Sequence, residues 1–267
     1  MMYFIGFRAW DVDAPVRNPV KGGTVKKAMI LSGAGLSAES GLRTFRDHDG
    51  LWEEYDVMQV CSTEGWEKDR GLVTRFYNAR RKDLADKHPN KMHRAIAQLQ
   101  KKYPGRIWNL TQNVDDLLER AGCNEVIHLH GTLRDLRCEH CGHVWDIGYT
   151  EQTEHDCCPR CESAQVRHNV VMFGESAPMY RKIYEAVNDA DLFVAIGTSG
   201  QVIDLVPIAK EFEHAILVNP KREEYVTMLG AFEEYIDTYF SDFLQMGAVA
   251  AAGPLMERIE RFMQFQE

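Results

Sequence analysis

The 267-residue sequence predicts an α/β fold in which a doubly wound parallel sheet carries helices on both of its faces. Four short apolar runs have the length and composition of buried parallel strands, and each ends in glycine or polar residues. Helical patterns separate these runs, as expected where strands and helices alternate along a chain. The predicted strands are 28–31, 107–110, 192–196 and 215–218, and the predicted helices are 67–87, 90–102 and 178–188.

The segments that follow the predicted strands indicate a single ligand-binding crevice. Ligands of doubly wound sheets bind beyond the carboxyl ends of the strands. Glycine or hydrogen-bonding side chains occupy that position after all four strands, at 33–35, 111–113, 197–199 and 219–220. We therefore expect these segments to lie together at one edge of the sheet.

Composition and charge argue against two classes of function. The formal net charge is −9 with a pI near 5.6, and the sequence has no Lys/Arg-rich run that would neutralise a row of phosphates, so direct nucleic-acid binding is not expected. No apolar stretch reaches the length of a membrane span, so no membrane association is expected. A hydrophobic fraction of 45% is enough to bury a full core.

Residues 1–25 are predicted to be an N-terminal extension that precedes a domain of residues 26–267. The extension carries Pro15, Pro19 and two adjacent glycines without hydrophobic periodicity. No basic segment precedes the apolar residues 1–7, and two aspartates follow closely, so a secretory signal is a poor interpretation. The cytoplasm, where thiols stay reduced, is the expected location.

Residues 33–38, Gly-Ala-Gly-Leu-Ser-Ala, fit the G-x-G-x-x-G/A turn that follows the first strand of a dinucleotide-binding unit. Its glycines let the backbone approach a pyrophosphate, and the N-terminus of the next helix offers unpaired N–H groups. An ordinary tight turn also uses glycine, so this segment alone leaves both interpretations open. The second strand should follow within about thirty residues. Because the next clear strand begins near 107, a long insertion lies between the two.

Five of the seven cysteines lie within residues 138–161, which indicates a metal site. Cys138-x-x-Cys141 and Cys158-x-x-Cys161 enclose 16 residues, the spacing of a tetrahedral four-thiolate zinc site. Four thiolates leave no open coordination position, so zinc here would hold the fold and perform no chemistry. Cys157 is an alternative to Cys158 as a ligand.

Two further patterns carry candidate functional side chains, each with a structural alternative. His128 and His130 alternate along a predicted strand, so both imidazoles are expected on one face, where catalytic and structural roles are both open. Tyr77 and Arg80 are three residues apart on a predicted helix, where they can hold a carboxylate together. The same spacing is common on amphipathic helices whose arginines are only solvated.

In order and spacing, these segments resemble the sirtuin family over residues 28–219. The resemblance implies a Rossmann-like fold, with a small zinc-binding module and a helical insertion that accounts for the late second strand. The similar segments are 33–41 and 44–46, which match the family's cofactor loop, 111–116 and 128–131, which match its catalytic segments, and 197–199 with Asn219, which match its remaining cofactor contacts. The implied core is about 26–46, 104–135 and 176–267, with the insertion at about 47–103 and the zinc module at about 136–172.

The resemblance implies NAD as co-substrate and removal of acyl groups from protein lysines. In the implied mechanism, the acyl oxygen displaces nicotinamide at the ribose carbon, and His130 then removes a proton from a ribose hydroxyl. The products are lysine, nicotinamide and an O-acyl-ADP-ribose. Asn113 and Asp115 shape the nicotinamide pocket, and Gln112 contacts a ribose. The implied cofactor-binding residues are Gly33, Ala34, Gly35, Ser37, Phe45, Arg46, Gln112, Asn113, Asp115, Gly197, Thr198, Ser199, Asn219 and Val249.

Acylated-lysine proteins or peptides are the implied partners, and one structural zinc per chain is implied at Cys138, Cys141, Cys158 and Cys161. Residues 170–175 resemble the family's substrate strand, beside which a peptide adds as a further strand. Tyr77 and Arg80 resemble the Tyr-x-x-Arg element of sirtuins that remove succinyl, malonyl and glutaryl groups, with Arg80 pairing to the acyl carboxylate. The implied substrate-binding residues are Tyr77, Arg80, Val171, Phe173, Gly174 and Glu175.

Two other functions stay open at this point. Some sirtuin-like proteins consume NAD as glycohydrolases or ADP-ribosyltransferases, and the Tyr77/Arg80 pair and the substrate strand argue against that function. A non-catalytic NAD sensor that meets a protein partner through its zinc module is the other alternative. His130 and the intact Gln112-Asn113-x-Asp115 set argue against it.

Overall fold

The computed structural model describes residues 25–42, 55–226 and 232–264. Three β-sheets form within these ranges. Their strands are β1 (Ala28–Ser32), β2 (Ile107–Thr111), β3 (Val126–His128), β4 (Gly131–Cys138), β5 (Val144–Asp146), β6 (Val166–Val170), β7 (Leu192–Ile196), β8 (His214–Val218), β9 (Glu224–Val226), β10 (Phe232–Tyr235) and β11 (Asp242–Leu244).

The largest sheet has six parallel strands in the order β11-β8-β7-β1-β2-β3, which confirms the doubly wound sheet predicted from the sequence. β1 lies at its centre and pairs in parallel with β2 on one side and β7 on the other. The chain therefore winds outward in one direction after β1 and in the opposite direction after β7. Ligands of open α/β sheets bind at this switch point, beyond the carboxyl ends of the strands.

The helices that connect these strands begin at polar caps in several cases. Within the described ranges they are α1 (Gly35–Ala38), α2 (Val57–Val60), α3 (Thr63–Lys68), α4 (Arg70–Ala85), α5 (Lys91–Lys102), α6 (Leu117–Arg120), α7 (Arg181–Asp189), α8 (Leu205–Lys210) and α9 (Ala248–Gln264). The Asp69 side chain accepts from the Leu72 N–H at the start of α4, and Asn90 accepts from two N–H groups at the start of α5. Short 3₁₀ turns lie at Pro178–Tyr180 and Ile236–Tyr239.

Alternating side chains of the central strand reach two hydrophobic layers, one on each face of the sheet. Ala28 and Ile30 of β1 belong to the layer that contains α5 and α9, whereas Met29 and Leu31 belong to the layer that contains α7 and α8. All five residues of β1 are buried, as they are in β7. This two-sided burial is why the parallel strands read as continuous apolar runs.

A smaller part of the molecule lies beside the large sheet. It is built on a three-stranded antiparallel sheet in the order β5-β4-β6, and it contains the four cysteines predicted to bind zinc. Helix α4 packs against this sheet through a cluster that includes Phe76, Tyr77 and Leu133. The sequence prediction places α5 in the helical insertion; in the structure, Met92, Ile96 and Leu99 of α5 pack within the core of the large sheet.

Several elements lack a signal in the sequence patterns. Among them are the short edge strand β11 and the antiparallel pair β9 and β10. The strand predicted around His128 and His130 is found only in part, because β3 ends at His128 and His130 lies in the turn before β4. Strands of three or four residues are too short to establish a periodicity. Of the helices described above, none has both the length and the apolar character that crossing a membrane requires.

Candidate functional site

Two glycine-containing loops pack against each other at the carboxyl ends of β1 and β7. The Gly35 N–H donates to the carbonyl oxygen of Gly197 at 2.9 Å. A Cβ at Gly35 would lie 2.7 Å from Cα of Gly197, and a Cβ at Gly33 would lie 2.8 Å from the Gly197 carbonyl oxygen. Gly197 also has a φ of +60°, in the left-handed region that favours glycine. The close contact between the two loops therefore requires glycine at these positions, whether or not a ligand is bound.

Most backbone N–H groups of the first loop, residues 33–37, donate to carbonyl oxygens of the protein itself. They are therefore not the unpaired donors that the glycine motif predicts. The Gly33 N–H donates to the Ile196 carbonyl. The Leu36 N–H donates to the Gly33 carbonyl, and the Ser37 N–H donates to the Ala34 carbonyl. Helix α1, which follows, has only four residues. Side chains at the neighbouring strand ends therefore carry more of the polar surface of this crevice than the motif alone suggests.

Thr198 joins the segments that follow three different strands. Nε2 of Gln112 donates to Oγ1 of Thr198 at 3.0 Å, and Nδ2 of Asn219 donates to the Thr198 carbonyl at 3.1 Å. The next residue, Ser199, is half-buried. The structure thus brings the predicted cofactor contacts after β2, β7 and β8 to one edge of the sheet, as the strand order requires.

A hydrogen-bond chain links the start of α5 to the predicted nicotinamide pocket. The Asn90 N–H donates to Nδ1 of His93 at 3.1 Å, so Nε2 carries the ring proton and donates to Oγ of Ser37 at 3.3 Å. Nδ2 of Asn113 also donates to this Oγ, at 3.2 Å. The Ser37 hydroxyl in turn donates to the Asp115 carboxylate. Asn113 and Asp115 are therefore oriented from behind by groups of the protein itself.

Burial shifts the pKa of the groups at both ends of this chain. Burial, with a smaller effect of the Arg94 charge, lowers the pKa of His93 to about 4, so the ring is neutral at pH 7. Burial also raises the pKa of Asp115, although hydrogen bonds from the Leu117 N–H and the Ser37 hydroxyl oppose the rise. A neutral His93 keeps its single ring proton on Nε2, which is the donor that Ser37 needs.

The two hydrogen-bond partners of His130 fix the position of its ring proton. Nδ1 lies 3.0 Å from the carbonyl oxygen of Gln112, which only accepts, so Nδ1 carries the proton. Nε2 is then an acceptor, and the Tyr180 hydroxyl donates to it at 2.7 Å. Burial lowers the pKa of His130 to about 4, although the Gln112 carbonyl opposes this effect. A neutral ring with an unprotonated Nε2 is the form that general-base catalysis requires.

His128 has a different environment from His130, although the two residues alternate in the sequence. β3 ends at His128, and its ring donates from Nδ1 to the Asn113 carbonyl at 2.8 Å. Nε2 lies 2.7 Å from the carboxylate of Glu119. Burial alone lowers the pKa of His128, but its hydrogen bonds and the nearby carboxylates together raise it above the ordinary value. His128 therefore supports the loop as an ion-pairing group, and His130 has the properties of a base.

The predicted substrate strand is tied to its surroundings by main-chain hydrogen bonds. The Val171 N–H donates to the His130 carbonyl at 2.9 Å, and the Phe173 N–H donates to the Cys61 carbonyl at 2.8 Å. The Phe173 carbonyl accepts from the Thr63 N–H at 3.0 Å. Gly174 has a φ of +93°, and a Cβ there would lie 2.6 Å from Oγ1 of Thr63. An added peptide strand would therefore pair with main-chain groups other than those of Phe173.

The carboxylate of Glu175, the last residue of this segment, accepts hydrogen bonds from two arginines and one backbone N–H. Oε1 accepts from Arg137 and Oε2 accepts from Arg167, both at 2.8 Å, and Oε2 also accepts from the Met172 N–H at 2.9 Å. Burial raises the pKa of Glu175, but these donors outweigh that effect and hold it below the ordinary value. The structure places the carboxylate of Glu175 where it shapes the turn, whereas the sequence prediction expects a substrate contact.

Tyr77 and Arg80 come together beside Cys61. The Tyr77 hydroxyl donates to Sγ of Cys61 at 3.5 Å, and its ring stacks on His168 with the ring centroids 3.8 Å apart. Burial raises the pKa of both Tyr77 and Cys61, and Arg80 lies close enough to lower both in part. The neighbouring Arg81 is fully buried and donates to the Leu133 carbonyl.

The four cysteines predicted as zinc ligands converge at one point. Their Sγ atoms all lie within 4.8 Å of one another, and the pairs Cys138–Cys161 and Cys141–Cys158 are 3.7 Å apart. Sulfurs arranged tetrahedrally at a Zn–S distance of about 2.3 Å would be about 3.8 Å apart, so the cluster fits structural zinc. Cys158 belongs to this cluster, whereas the exposed Cys157 directs its Sγ to the His155 carbonyl, which settles the choice between them.

Of the three remaining predicted cofactor contacts, the structure describes Val249. The Val249 N–H, in the first turn of α9, donates to Oε2 of Glu39 at 2.7 Å, so this turn is joined directly to the segment after α1. Phe45 and Arg46 lie outside the described residues, and their roles stay predictions.

Tyr180 and His93 are functional candidates that were not predicted from the sequence. Tyr180 lies 50 positions from His130 within a predicted helix, and no local pattern marks it. His93 has a detectable signal, because it forms a capping box with Asn90 three residues earlier.

Comparisons with known proteins agree on one family. The chain matches the Sir2 family model over residues 33–204. It is 46% identical over 240 residues to a Campylobacter jejuni protein described as an NAD-dependent protein deacylase, a match that covers 90% of this chain and 98% of the relative. A solved complex of a Sir2 homologue with NAD has a TM-score of 0.73 and 31% identity, covering 90% of this chain and 91% of that one. A Sir2 structure with a deacetylated p53 peptide has a TM-score of 0.68 and 25% identity, covering 88% and 94%.

The family match spans more than half of the chain, and the sheet order, the four-cysteine cluster and the polar crevice agree with it. The chain therefore belongs to the Sir2, or sirtuin, family and is an NAD-dependent protein deacylase.

Proposed function

We propose that this deacylase removes acyl groups that end in a carboxylate, succinyl and malonyl, from protein lysines, and that it also removes acetyl groups. The observation that carries the proposal is the hydrogen bond from Tyr77 to Cys61, with the Arg80 charge close enough to act on both side chains. The Cys61 carbonyl accepts from the Phe173 N–H of the substrate strand. A guanidinium and a phenol in that place favour a terminal carboxylate, because the guanidinium brings charge and donors and the phenol can turn its O–H from Cys61 to the carboxylate.

The burial around this pair supports a strong interaction with a carboxylate. Tyr77 is 2% exposed and Cys61 is 5% exposed. The ring centroid of Phe76 lies 5.8 Å from Cζ of Arg80, so apolar groups flank the guanidinium. Electrostatic attraction is larger in such surroundings than in bulk water. A succinyl carboxylate would gain from the Arg80 charge, whereas an acetyl group has no charge to offer.

The same proposal assigns roles within the crevice. His130 is the base, because its ring is neutral and its Nε2 is unprotonated. Asn113 and Asp115 hold the nicotinamide end, and Gln112 contacts a ribose next to Thr198. NAD supplies the electrophilic ribose carbon when bound. The remaining proposed contacts are Gly33, Ala34, Gly35, Ser37, Phe45, Arg46, Gly197, Ser199, Asn219 and Val249.

Acyl-lysines in extended protein segments are the proposed substrates, lying beside residues 171–174. The related Sir2 structure with a deacetylated peptide supports a peptide cleft. A cytoplasmic location is part of the proposal, because a four-thiolate zinc site needs cysteines that are kept reduced.

The acyl preference is tested by comparing Arg80→Met with Arg75→Met. Arg75 is an exposed arginine on the same helix, so its replacement controls for loss of one positive charge. We expect Arg80→Met to lower kcat/KM for a succinyl-lysine peptide by about 10- to 100-fold, since a hydrogen bond to a charged group contributes about 1.5–3 kcal/mol. Activity on the matched acetyl-lysine peptide should change by less than about threefold. An equal loss on both peptides contradicts the proposal.

A further inference from the structure

Tyr180 holds the one ring nitrogen of His130 that is able to accept a proton. Tyr180 ends the 3₁₀ turn Pro178–Tyr180, immediately before α7. Its hydroxyl lies 2.7 Å from Nε2, and the two ring centroids are 5.7 Å apart with an interplanar angle of 49°. The phenol therefore approaches Nε2 by its hydroxyl and does not stack on the imidazole.

The fold holds Tyr180 firmly in this position. The residue is 9% exposed and packs within the hydrophobic layer that includes Leu129 and Ile183. Its N–H donates to the Ala177 carbonyl at 3.0 Å. Burial raises the pKa of Tyr180 to about 12, so the phenol keeps its proton at neutral pH and remains the donor.

His128 and His130 show how the partner of Nε2 distinguishes the two rings. Both rings donate from Nδ1 to a backbone carbonyl of the segment after β2. At Nε2, however, His128 meets the carboxylate of Glu119, and His130 meets the neutral phenol of Tyr180. A carboxylate favours a protonated ring at rest, whereas a phenol stabilises the lone pair without adding charge.

We propose that Tyr180 is a positioning residue for the base, a role that rests on the proposed function of His130. In the resting protein its O–H donates to Nε2 and holds the ring in one orientation. During the reaction the ribose hydroxyl displaces the phenol O–H from the Nε2 lone pair. The ribose O–H bond then breaks and an Nε2–H bond forms, and the electron pair left on the ribose oxygen attacks the acyl carbon. The phenol, which keeps its own proton, then turns its oxygen to accept a hydrogen bond from Nε2–H.

The phenol is needed because His130 becomes charged in surroundings that disfavour charge. Burial lowers the pKa of this ring to about 4, so the protonated ring formed during the reaction is costly without a hydrogen-bond acceptor. A hydroxyl suits both states, since it donates to the neutral ring and accepts from the charged one.

The test compares Tyr180→Phe with Tyr184→Phe, the same change one turn further along α7. Two rates separate the steps. Exchange of labelled nicotinamide into NAD in the presence of an acyl peptide reports the step before His130 acts, and formation of O-acyl-ADP-ribose reports the step that needs it. We expect Tyr180→Phe to slow product formation by about 10- to 100-fold, the loss of a hydrogen bond to a charged group. Exchange and the KM for NAD should change by less than about threefold, and Tyr184→Phe should resemble the wild type.

Two kinetic outcomes overturn the proposal. If exchange and product formation fall together in Tyr180→Phe, the residue only maintains the fold; if product formation is unchanged, its bond to Nε2 is incidental. The ¹⁵N resonances of the His130 ring provide a second measurement on the resting protein. The Nε2 resonance should shift in Tyr180→Phe while Nδ1 remains protonated, and an unchanged Nε2 resonance also overturns the proposal. A wild-type protein that forms no O-acyl-ADP-ribose would instead refute the proposed function, and the resonance measurement would still test Tyr180.

Discussion

Nε2 of His93 lies 3.3 Å from Oγ of Ser37, and this contact joins the first turn of α5 to the cofactor crevice. The imidazole is fully buried, and its other nitrogen accepts the Asn90 N–H that begins the helix. One side chain therefore serves both as a helix cap and as a support for Ser37 in the proposed nicotinamide pocket. Stability of α5 and affinity for NAD should depend on it together.

Replacement of His93 by leucine should lower both properties. The variant removes the donor to Ser37 and leaves the Asn90 N–H without its acceptor, so the free energy of unfolding should fall by about 1–3 kcal/mol. The KM for NAD should rise, because Asn113 and Asp115 lose part of their support. Urea denaturation and steady-state kinetics measure the two effects. His88→Leu, at an exposed position, is the control, and an equal effect of both changes would contradict this account.

The stability of the protein should fall as the pH drops from about 6.5 towards 4. The pKa of His130 is about 4 in the folded protein, against about 6.5 in an unfolded chain. The unfolded chain therefore binds more protons in this window, and the free energy of unfolding decreases as the pH falls. Between pH 7 and pH 5 this one ring should account for about 2 kcal/mol. His130→Gln should lose correspondingly less stability in urea denaturation at the two pH values, and equal losses would show that the ring is not held neutral.

Zinc binding should distinguish two adjacent cysteines. Cys158 lies in the four-sulfur cluster and Cys157 does not. Cys158→Ser should lose the metal and lower the Tm, because the metal links the turn at Cys138 to the turn at Cys161. Cys157→Ser should retain one zinc per chain by elemental analysis. Loss of zinc from Cys157→Ser would show that the ligand set is different.

The contact between the loop at Gly35 and the loop at Gly197 should not accommodate a side chain at Gly35. A Cβ at Gly35 meets backbone atoms of Gly197, so Gly35→Ala should lower the free energy of unfolding by about 1–3 kcal/mol and weaken NAD binding. Gly253→Ala is the matched control, since a Cβ there meets no atom within 4 Å and α9 gains about 0.5–1 kcal/mol. Thermal unfolding and NAD titration compare the two variants, and similar destabilisation by both would contradict the steric argument.

Much of the fold follows from local signals in the sequence. β1 and β7 are buried along their whole length, and β2 and β8 are buried over their last residues, and this burial produces recognisable apolar runs in the sequence. The spacing of Cys138, Cys141, Cys158 and Cys161 likewise predicts a cluster that the structure confirms. The edge strand β11 is only three residues long, so it leaves no periodic pattern.

The site is less predictable because its contacts join distant parts of the chain. Gln112 meets Thr198, and Tyr180 meets His130 across 50 positions. Such pairs depend on how the strand ends are arranged in three dimensions, and neither residue of a pair marks its partner. Glu175 illustrates the opposite problem. A motif identifies it, but its carboxylate is directed to Arg137 and Arg167 and shapes the strand.

The central claim, that His130 is the base of an NAD-dependent deacylase acting on acyl-lysine, is tested by mass-spectrometric analysis of the reaction products. The purified protein is incubated with NAD and matched succinyl-lysine and acetyl-lysine peptides, beside a His130→Ala variant. We expect free lysine peptide, nicotinamide and O-acyl-ADP-ribose from the wild type, with the succinyl peptide preferred, and no O-acyl-ADP-ribose from His130→Ala. Consumption of NAD without any change in the peptides would contradict the claim and would favour a glycohydrolase.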